Sequence, residues 1–236
     1  TAIEVWVTNK NAVNYQNTTN IVGFSDLAEP EKIFNPSVTP TGASKVPANN
    51  ANTLFANVVQ SAGGLPDIYE IDNYLKGLSM ESGTDYAKLE GARRLDEGDY
   101  TLNKELGYIS LKSALNNDEI LAVAYQYTYQ GKVYTVGELS NSASEFAKPL
   151  ALKLLKSTDK SPMHPTWDLM MKNIYALGAY QVQQSKFSLN IMYKNDSTGI
   201  DLRYLTEGPI SKEPLLKVMG LDHLDSHGNE RPKGDG

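Results

Sequence analysis

The stretch EILAVAYQYTYQGKVYTVG, residues 119–137, decides the fold of this chain. Two runs rich in β-branched and aromatic residues flank Gln130-Gly131, and glycine at the second position of a two-residue loop is typical of a tight β-hairpin. Because side chains alternate along a strand, every second cross-strand pair of this hairpin lies on the same face of the sheet. Counting outward from the loop, the predicted pairs on that face are Tyr129–Lys132, Tyr127–Tyr134 and Tyr125–Val136.

A second hairpin is predicted over about 186–205. Apolar residues alternate from Phe187 to Tyr193, Asn195–Gly199 has turn composition, and the alternation resumes from Ile200 to Tyr204. Further strands are predicted where short apolar or alternating runs occur, at 2–8, 21–24, 107–111 and 150–155. Residues 35–50 contain three prolines and no periodicity, which favours a long loop. The apolar residues of the segment 84–104 fit the helical period and the strand period equally, so neither element is assigned there.

About four helices are predicted between these strands, near 52–62, 67–78, 166–177 and 213–221. The first has Asn52 as its cap and an apolar face that includes Leu54 and Val58. The third begins at Pro165-Thr166, and its stripe of Trp167, Met170, Met171, Ile174 and Leu177 is expected to face the core. Strands and helices in this order indicate an α+β fold with mixed, mainly antiparallel sheets.

Composition narrows the classes of function. The chain has 236 residues with 22 Lys and Arg against 28 Asp and Glu, a formal net charge of −6. An acidic surface argues against nucleic acid or anionic lipid as the main partner, since both require clustered cations. There is no cysteine, which excludes disulfides, thiolate catalysis and cysteine-ligated metal centres.

The ends of the sequence suggest a piece of a larger protein. It begins at Thr1 without an initiator methionine or signal segment and ends in Lys-Gly-Asp-Gly. No apolar run approaches the roughly 20 residues of a membrane helix, so we expect no direct membrane insertion. We therefore predict that residues 1–236 form a soluble module cut from a much longer chain, with 1–80 and 81–236 as sub-lobes.

Candidate catalytic groups are few. Ser157 and Lys160 match S-x-x-K, but the companion motifs S-D-N and K-T-G are missing. His164 stands between Met163 and Pro165, where a residue that begins a helix is the commoner role. The carboxylate pairs Asp96 with Asp99 and Asp118 with Glu119 have the composition used in glycoside hydrolysis, although charged turns are more common. We expect no enzymatic activity and no cofactor.

The C-terminal tail contains the residues that come nearest to a metal site. His223 and His227 have the i, i+4 spacing of a zinc pair, but Ser226, Gly228 and Pro232 argue against the helix this requires. Calcium fits the oxygen donors better, although their spacing does not match an EF-hand. A solvated linker explains the same residues, so no metal is assigned, and the weak calcium candidates are Asp222, Asp225, Asn229 and Asp235.

The tyrosines of the first hairpin are the candidate binding residues. Tyr125, Tyr127 and Tyr134 would place flat aromatic rings on one face of a sheet, where rings stack against sugars or peptide side chains. The same rings also stabilise a hairpin through cross-strand contacts, with their hydroxyls in water. The structural role is favoured, and binding stays as the alternative.

Three blocks of sequence resemble the SprA family of gliding bacteria, known as Sov in oral members of the Bacteroidota. Their order in the chain matches the family, and together they extend over nearly its whole length. The blocks are IEVWVTNK at 3–10 with TNIVGF at 19–24 and DL at 26–27; LGYISL at 106–111 with DEILAVAYQY at 118–127; and WDLMMKNIY at 167–175.

This resemblance implies a function that the residues alone do not reveal. The family comprises very large outer-membrane proteins that form the translocon of the type 9 secretion system, which exports gliding adhesins and proteases. The chain is then expected to be a non-catalytic structural module of that channel, located at the outer membrane. Its expected partners are other parts of the same translocon chain, channel-associated secretion proteins and exported cargo. The alternative is a surface-exposed module that binds glycans or peptides through the tyrosines.

Overall fold

The computed structural model describes residues 2–10, 18–61, 63–140, 148–171, 183 and 188–220. The chain divides into two compact units, Thr1–Asn173 and Ile174–Gly236. The predicted sub-lobes 1–80 and 81–236 do not correspond to these units, because strands from both sides of residue 80 pair within a single sheet of the first unit. The fold is α+β, with mainly antiparallel sheets and hairpins, as predicted.

Six strands of the first unit form its main sheet, and two more form a separate hairpin. The strand order in the main sheet is β1-β3-β2-β8-β6-β7. The strands are β1 (Ala2–Val7), β2 (Thr18–Phe24), β3 (Tyr86–Arg94), β4 (Tyr100–Asn103), β5 (Tyr108–Leu111), β6 (Leu121–Tyr129), β7 (Lys132–Val136) and β8 (Leu150–Lys156). β2 and β8 run parallel, and the other pairings between these strands are antiparallel. The ambiguous segment 84–104 therefore contains two strands, β3 and β4.

The main sheet closes on itself through a pairing between β1 and β6. β1 pairs with β3 on one side, and on the other it pairs with β6 from Ala2↔Gln126 to Val7↔Leu121. β6 in turn pairs with β8, so β1, β3, β2, β8 and β6 form a complete ring. Closure leaves each of these strands with one face inward and one face outward.

The inside of the closed sheet is filled mostly by small and aliphatic side chains. Leu150, Leu152 and Leu154 project inward from β8 and alternate with outward residues. Gly23 lies at a close approach, because a Cβ there would be 3.0 Å from Leu154 Cδ1 and 3.5 Å from Ala122 Cβ. The buried residues that meet inside are Trp6, Ile21, Ala87, Leu89, Ala92, Ala122, Ala124, Leu150, Leu152 and Leu154.

Two further apolar clusters cover the outside of the closed sheet. On one side, Val22, Phe24 and Ala151 pack against the helical segments of residues 54–75. On the other side, Val5, Val7, Leu121 and Val123 pack beneath the β4–β5 hairpin through Tyr100 and the partly buried Leu102, Ile109 and Leu111. The core is therefore layered, with the closed sheet between the helical segments and the hairpin.

The first predicted hairpin is confirmed residue by residue. β6 pairs with β7 in the register Tyr125↔Val136, Tyr127↔Tyr134 and Tyr129↔Lys132. The loop residues Gln130 and Gly131 have φ of 48° and 75°, the left-handed pair that a two-residue hairpin turn requires. The strands predicted at 2–8, 21–24, 107–111 and 150–155 are also present as β1, β2, β5 and β8.

The helical predictions hold in part. The first is a π-helical segment at Phe55–Gln60, with Leu54, Val58 and Val59 buried as expected, and the second is α1 (Ile71–Gly77).

The third helix prediction, at 166–177, is wrong for its described part. Only a 3-10 turn forms at Pro165–Leu169, since Met170 is extended with ψ of 133°. Met170 and Met171 are each 49% exposed, so the predicted apolar stripe does not face a core there; Ile174 and Leu177 lie outside the described residues.

The second unit is described at residues 183 and 188–220. It contains the short hairpin of β9 (Tyr193–Lys194) and β10 (Asp201–Leu202), with Leu202 opposite Tyr193, and α2 (Leu215–Val218). The predicted turn at Asn195–Gly199 is present, with Asn195 Oδ1 accepting hydrogen bonds from the amides of Ser197 and Thr198. The strands are much shorter than the predicted alternation. No helix in the described parts of the chain is long and apolar enough to cross a membrane.

The closed interior generates a first prediction. Ala122→Leu should lower the free energy of unfolding by about 1–3 kcal/mol, because the ring of strands leaves no room for a larger side chain. Urea denaturation measures the change. Ala114→Leu, at an exposed loop position, is the matched control and should leave the midpoint unchanged. An unchanged midpoint for Ala122→Leu would show that this residue does not point into a packed interior.

Candidate functional site

The predicted tyrosines form one continuous aromatic surface on the β6–β7 hairpin, which we call the tyrosine face (Tyr125, Tyr127 and Tyr134). Tyr127 and Tyr134 stack with ring centroids 5.4 Å apart and an interplanar angle of 23°. Tyr125 lies 6.0 Å from Tyr127 at 36°. All three side chains are partly buried. Their mutual stacking stabilises the hairpin and leaves part of the aromatic surface accessible.

The long loop at 35–50 lies against this hairpin. The Tyr127 hydroxyl donates to the Pro47 carbonyl oxygen at 2.8 Å. The Asn49 backbone amide donates to Thr135 O at 2.9 Å, while its side chain accepts from Gly137 N at 2.7 Å and donates to Gly137 O at 3.1 Å. Asn49 thereby occupies the outer edge of β7, as a neighbouring strand would. The sequence predicted the loop but not its docking, because a single asparagine side chain carries no periodic signal.

Burial controls the ionisation of the innermost tyrosine. It raises the pKa of Tyr125 to about 12, with the neighbouring Tyr127 and Glu29 acting in the same direction. Burial also raises the pKa of Tyr127. Neutral tyrosines at ordinary pH present hydroxyl groups and aromatic rings, which suits neutral ligands such as sugars or peptide side chains.

A buried ion pair, which the sequence did not reveal, lies where the chain leaves β2. The Lys153 side chain, 7% exposed, points outward from β8 and donates to Ser25 O and to Glu29 Oε1, the latter at 2.7 Å. Burial lowers the pKa of Lys153, and the carboxylates of Glu29 and Asp26 oppose that shift. The lysine therefore anchors residues 25–29, which lead from β2 toward the long loop. Its ammonium group is occupied by these hydrogen bonds.

Asp26 organises the same loop from the other side. Its two carboxylate oxygens accept from the Phe34 and Asn35 amides, each at 2.8 Å. Burial raises its pKa, although these two hydrogen bonds oppose the shift. Asn52 donates to the carbonyl oxygens of Asp26 and Glu29 and so joins the far end of the loop to its beginning. Side chains from distant positions thus fix the path of a segment that has little secondary structure.

The candidate nucleophile and its lysine have different partners. Ser157 is buried, and its hydroxyl oxygen accepts from the Asp159 amide at 3.2 Å. Lys160 donates to Asn117 Oδ1 instead. The S-x-x-K spacing therefore lies in a turn, in which the serine bonds within the turn and the lysine bonds to a different segment.

His164 is a buried residue at the start of the 3-10 turn, as the sequence indicated. Its Nε2 lies 2.8 Å from Gly83 O, so this nitrogen donates. Its Nδ1 then accepts from the Thr166 amide at 3.2 Å and from the Thr166 hydroxyl at 2.8 Å. Both ring nitrogens are occupied in the neutral tautomer, which gives the ring a structural role.

The carboxylate pairs belong to turns. Asp99 lies 3.4 Å from Arg93, and Asp118 lies 2.8 Å from Lys10. Glu119 accepts from the Asn116 amide at 2.5 Å. Asp99, Asp118 and Glu119 thus have different partners, and neither pair forms a two-carboxylate arrangement of its own.

The candidate metal ligands Asp222, Asp225, Asn229 and Asp235, with His223 and His227, lie outside the described residues. Within the part of the chain that the structure describes, no group of three or more His, Asp or Glu side chains is arranged to hold a metal ion.

Comparison with known proteins gives no match to a protein-family model and none to a curated protein.

The buried ion pair yields a second prediction. Lys153→Met should lower the free energy of unfolding by about 3 kcal/mol, because it leaves the Glu29 carboxylate and Ser25 O without their partner. Adding Glu29→Gln should restore part of this loss, which a double-mutant cycle in urea measures. Lys10→Met, which removes an exposed pair with Asp118, should change stability far less. Equal effects for the two lysines would contradict the anchoring role.

A third prediction concerns alkaline pH. Tyr125 and Tyr86 have pKa values of about 12 in the folded protein, whereas an unfolded tyrosine ionises near pH 10. Between these values the unfolded chain loses the protons first. Stability is therefore complete below about pH 10 and falls as the pH rises toward 12.

Urea unfolding between about pH 9 and pH 12 measures this loss, and phenolate absorbance follows the ionisation. Tyr125→Phe should make the decline shallower, while Tyr69→Phe, at a 77% exposed position, should not. If all 14 tyrosines ionised together near pH 10, the burial of Tyr125 and Tyr86 would be wrong.

Proposed function

We propose that this chain is a non-catalytic structural module of an outer-membrane protein-export channel of the SprA type, the translocon of type 9 secretion. The module contributes to export of surface proteins and, in gliding species, to motility. Its partners are other parts of the translocon chain, channel-associated secretion proteins and cargo. It works through its shape and its contacts, without chemistry of its own.

The observation that carries this proposal is where the SprA-like blocks lie in the fold. The block at 3–10 includes all but the first residue of β1, and that at 19–24 lies in β2. The block at 106–111 contains β5, and that at 118–127 contains most of β6. These strands include both partners of the pairing that closes the sheet. A chain that shared these blocks would share the residues that build this fold, which supports a common structural role.

A second candidate function is a surface-exposed module that binds glycans or peptides. The observation in its favour is the tyrosine face, whose rings stack together and remain partly accessible. Tyr129, 48% exposed, follows them on the same strand. Against it, the Tyr127 hydroxyl is already engaged by Pro47. Saturable binding of an oligosaccharide or peptide that is lost in Tyr134→Ala would favour this function.

A fourth prediction tests the export role in the full-length translocon. Ala122→Leu should reduce export of type 9 cargo and surface movement, because the role of the module depends on its closed sheet. Ala114→Leu and Lys160→Ala should leave export near normal, since both residues are exposed. The measurements are the amount of cargo at the cell surface and the rate of spreading, with the translocon level in the outer membrane determined in parallel.

Two results would contradict the proposal. One is normal export from a translocon lacking this segment. The other is a loss of export in Lys160→Ala while the protein is folded and inserted, since that would indicate chemistry at the S-x-x-K turn. A loss confined to Tyr134→Ala, with normal stability, would favour the binding alternative.

A further inference from the structure

A cleft of about 530 Å³ lies between the start of β1 and the β4–β5 hairpin. Its size is within the range of ligand-binding pockets. Apolar side chains from four segments line it, namely Ile3, Leu95, Leu102 and Leu139, together with Tyr100. Lys104, Asp96 and Glu97 also border it. Its residue Ile3 lies opposite Tyr125 of the tyrosine face in the β1–β6 pairing, and Asp96 is one of the candidate acids named from the sequence.

One wall of this cleft is an open strand edge. Leu95 N donates to Val5 O at 2.8 Å, so the peptide groups of Val5 point toward β3. Those of Ile3, two residues earlier, point to the same side. β3 pairs only with Trp6 and Val7 before the chain turns away after Leu95. Among the described residues, no strand pairs with Ile3 on this side.

The hairpin presents a second open edge to the cleft. Lys112 N donates to Asp99 O at 2.9 Å, so the peptide groups of Asp99 point toward β5. Peptide groups alternate in direction along a strand, so those of Thr101 and Asn103 also point toward β5. The peptide groups of Tyr100 and Leu102 therefore point away from β5. In the described part of the chain β4 has no strand partner other than β5. The Tyr100 hydroxyl also has no hydrogen-bond partner among the described residues.

The wall between these edges is fixed in place. The Glu4 side chain, 13% exposed, accepts from Arg94 at 3.1 Å and from the Ser140 hydroxyl and amide at 2.7 and 2.9 Å. Because the acid is satisfied by these donors, its charge does not have to be matched by an occupant. The cleft thus combines a partly apolar lining with the unpaired peptide groups of Ile3 on one side and of Tyr100 and Leu102 on the other.

We propose that this cleft binds an extended peptide segment of a second polypeptide by strand addition to β1. A strand satisfies the amide and carbonyl of Ile3 with its own backbone, which a helix or a sugar does not. Alternate side chains of the added strand would then enter the apolar lining. The partner is therefore a segment with apolar residues at every second position. This inference stands independently of the export role, since it rests on the two edges and the lining alone.

The test uses the 236-residue chain and the synthetic peptide KVTVTVK with blocked ends. We expect saturable changes in amide NMR spectra at Ile3, Tyr100 and Leu102, with a Kd of about 0.1–1 mM. The same peptide N-methylated on alternate residues should bind at least about tenfold more weakly, because one row of its backbone donors is removed.

Variants of the protein locate the pairing. Ile3→Pro removes the amide that points into the cleft without removing a bond to β6, and it should weaken binding about tenfold or more. The matched control is Val133→Pro, whose amide points outward from β7 in the same way and which should bind as the parent does. Leu102→Asp tests the apolar lining and replaces Ile3→Pro if that variant does not fold.

Each of the following results would overturn the proposal: no saturable change up to about 5 mM peptide, equal binding of the N-methylated peptide, or spectral changes that map to β7. A loss of binding in Val133→Pro equal to that in Ile3→Pro would do the same.

Discussion

The pairing of β1 with β6 is the constraint on which the rest of the first unit depends. It joins strands that are distant in sequence and turns a row of strands into a ring. A ring of five strands has a narrow interior, so its inward positions need small residues beside a few large ones. Ala122 and Ala124 on β6 and Gly23 on β2 meet that need, and they make room for Trp6. Among the described residues the buried Trp6 Nε1 atom has no hydrogen-bond partner, in keeping with an interior lined mostly by apolar side chains.

Closure also explains why the tyrosine face projects from the sheet. β6 pairs with β1 only as far as Gln126, while its hairpin with β7 continues to Tyr129. Beyond the ring, the hairpin lacks a second sheet neighbour and depends on its own aromatic contacts and on the long loop. Asn49 and Pro47 supply that support, and the buried Lys153 anchors the beginning of the same loop. The aromatic surface and the buried lysine are thus parts of one arrangement.

Sequence patterns predicted the elements that are determined by residues close together in the sequence. The register of the β6–β7 hairpin followed from its loop, because a two-residue turn fixes which residues face each other. The aromatic grouping of Tyr125, Tyr127 and Tyr134 followed from the same register. The closure of the sheet did not follow, because alternation in β1 says that a strand exists but not which strands flank it. The Lys153–Glu29 pair was missed for a similar reason, since a lysine in an apolar run has no partner that its own segment reveals.

The predicted helix at 166–177 shows how periodicity can mislead. Trp167, Met170 and Met171 have helical spacing. His164, however, bonds to Thr166 and to Gly83 O, and these bonds hold the chain in a 3-10 turn. Side-chain hydrogen bonds of this kind compete with the helix, and the described chain becomes extended at Met170.

The strand edges of the first unit are treated in different ways, and the difference bears on function. Exposed edges invite pairing with other chains, so proteins usually block them. The outer edge of β7 is blocked at Thr135 and Gly137 by Asn49, while Val133 has no such cover among the described residues. The edges of β1 and β4 that border the cleft have no such cover in the described residues. Because Asn49 blocks the outer edge of β7 while the edge of β1 stays open at Ile3, strand addition to the main sheet is favoured at the cleft. Such pairing recognises another polypeptide mainly through its backbone, with the side chains that enter the cleft adding selectivity.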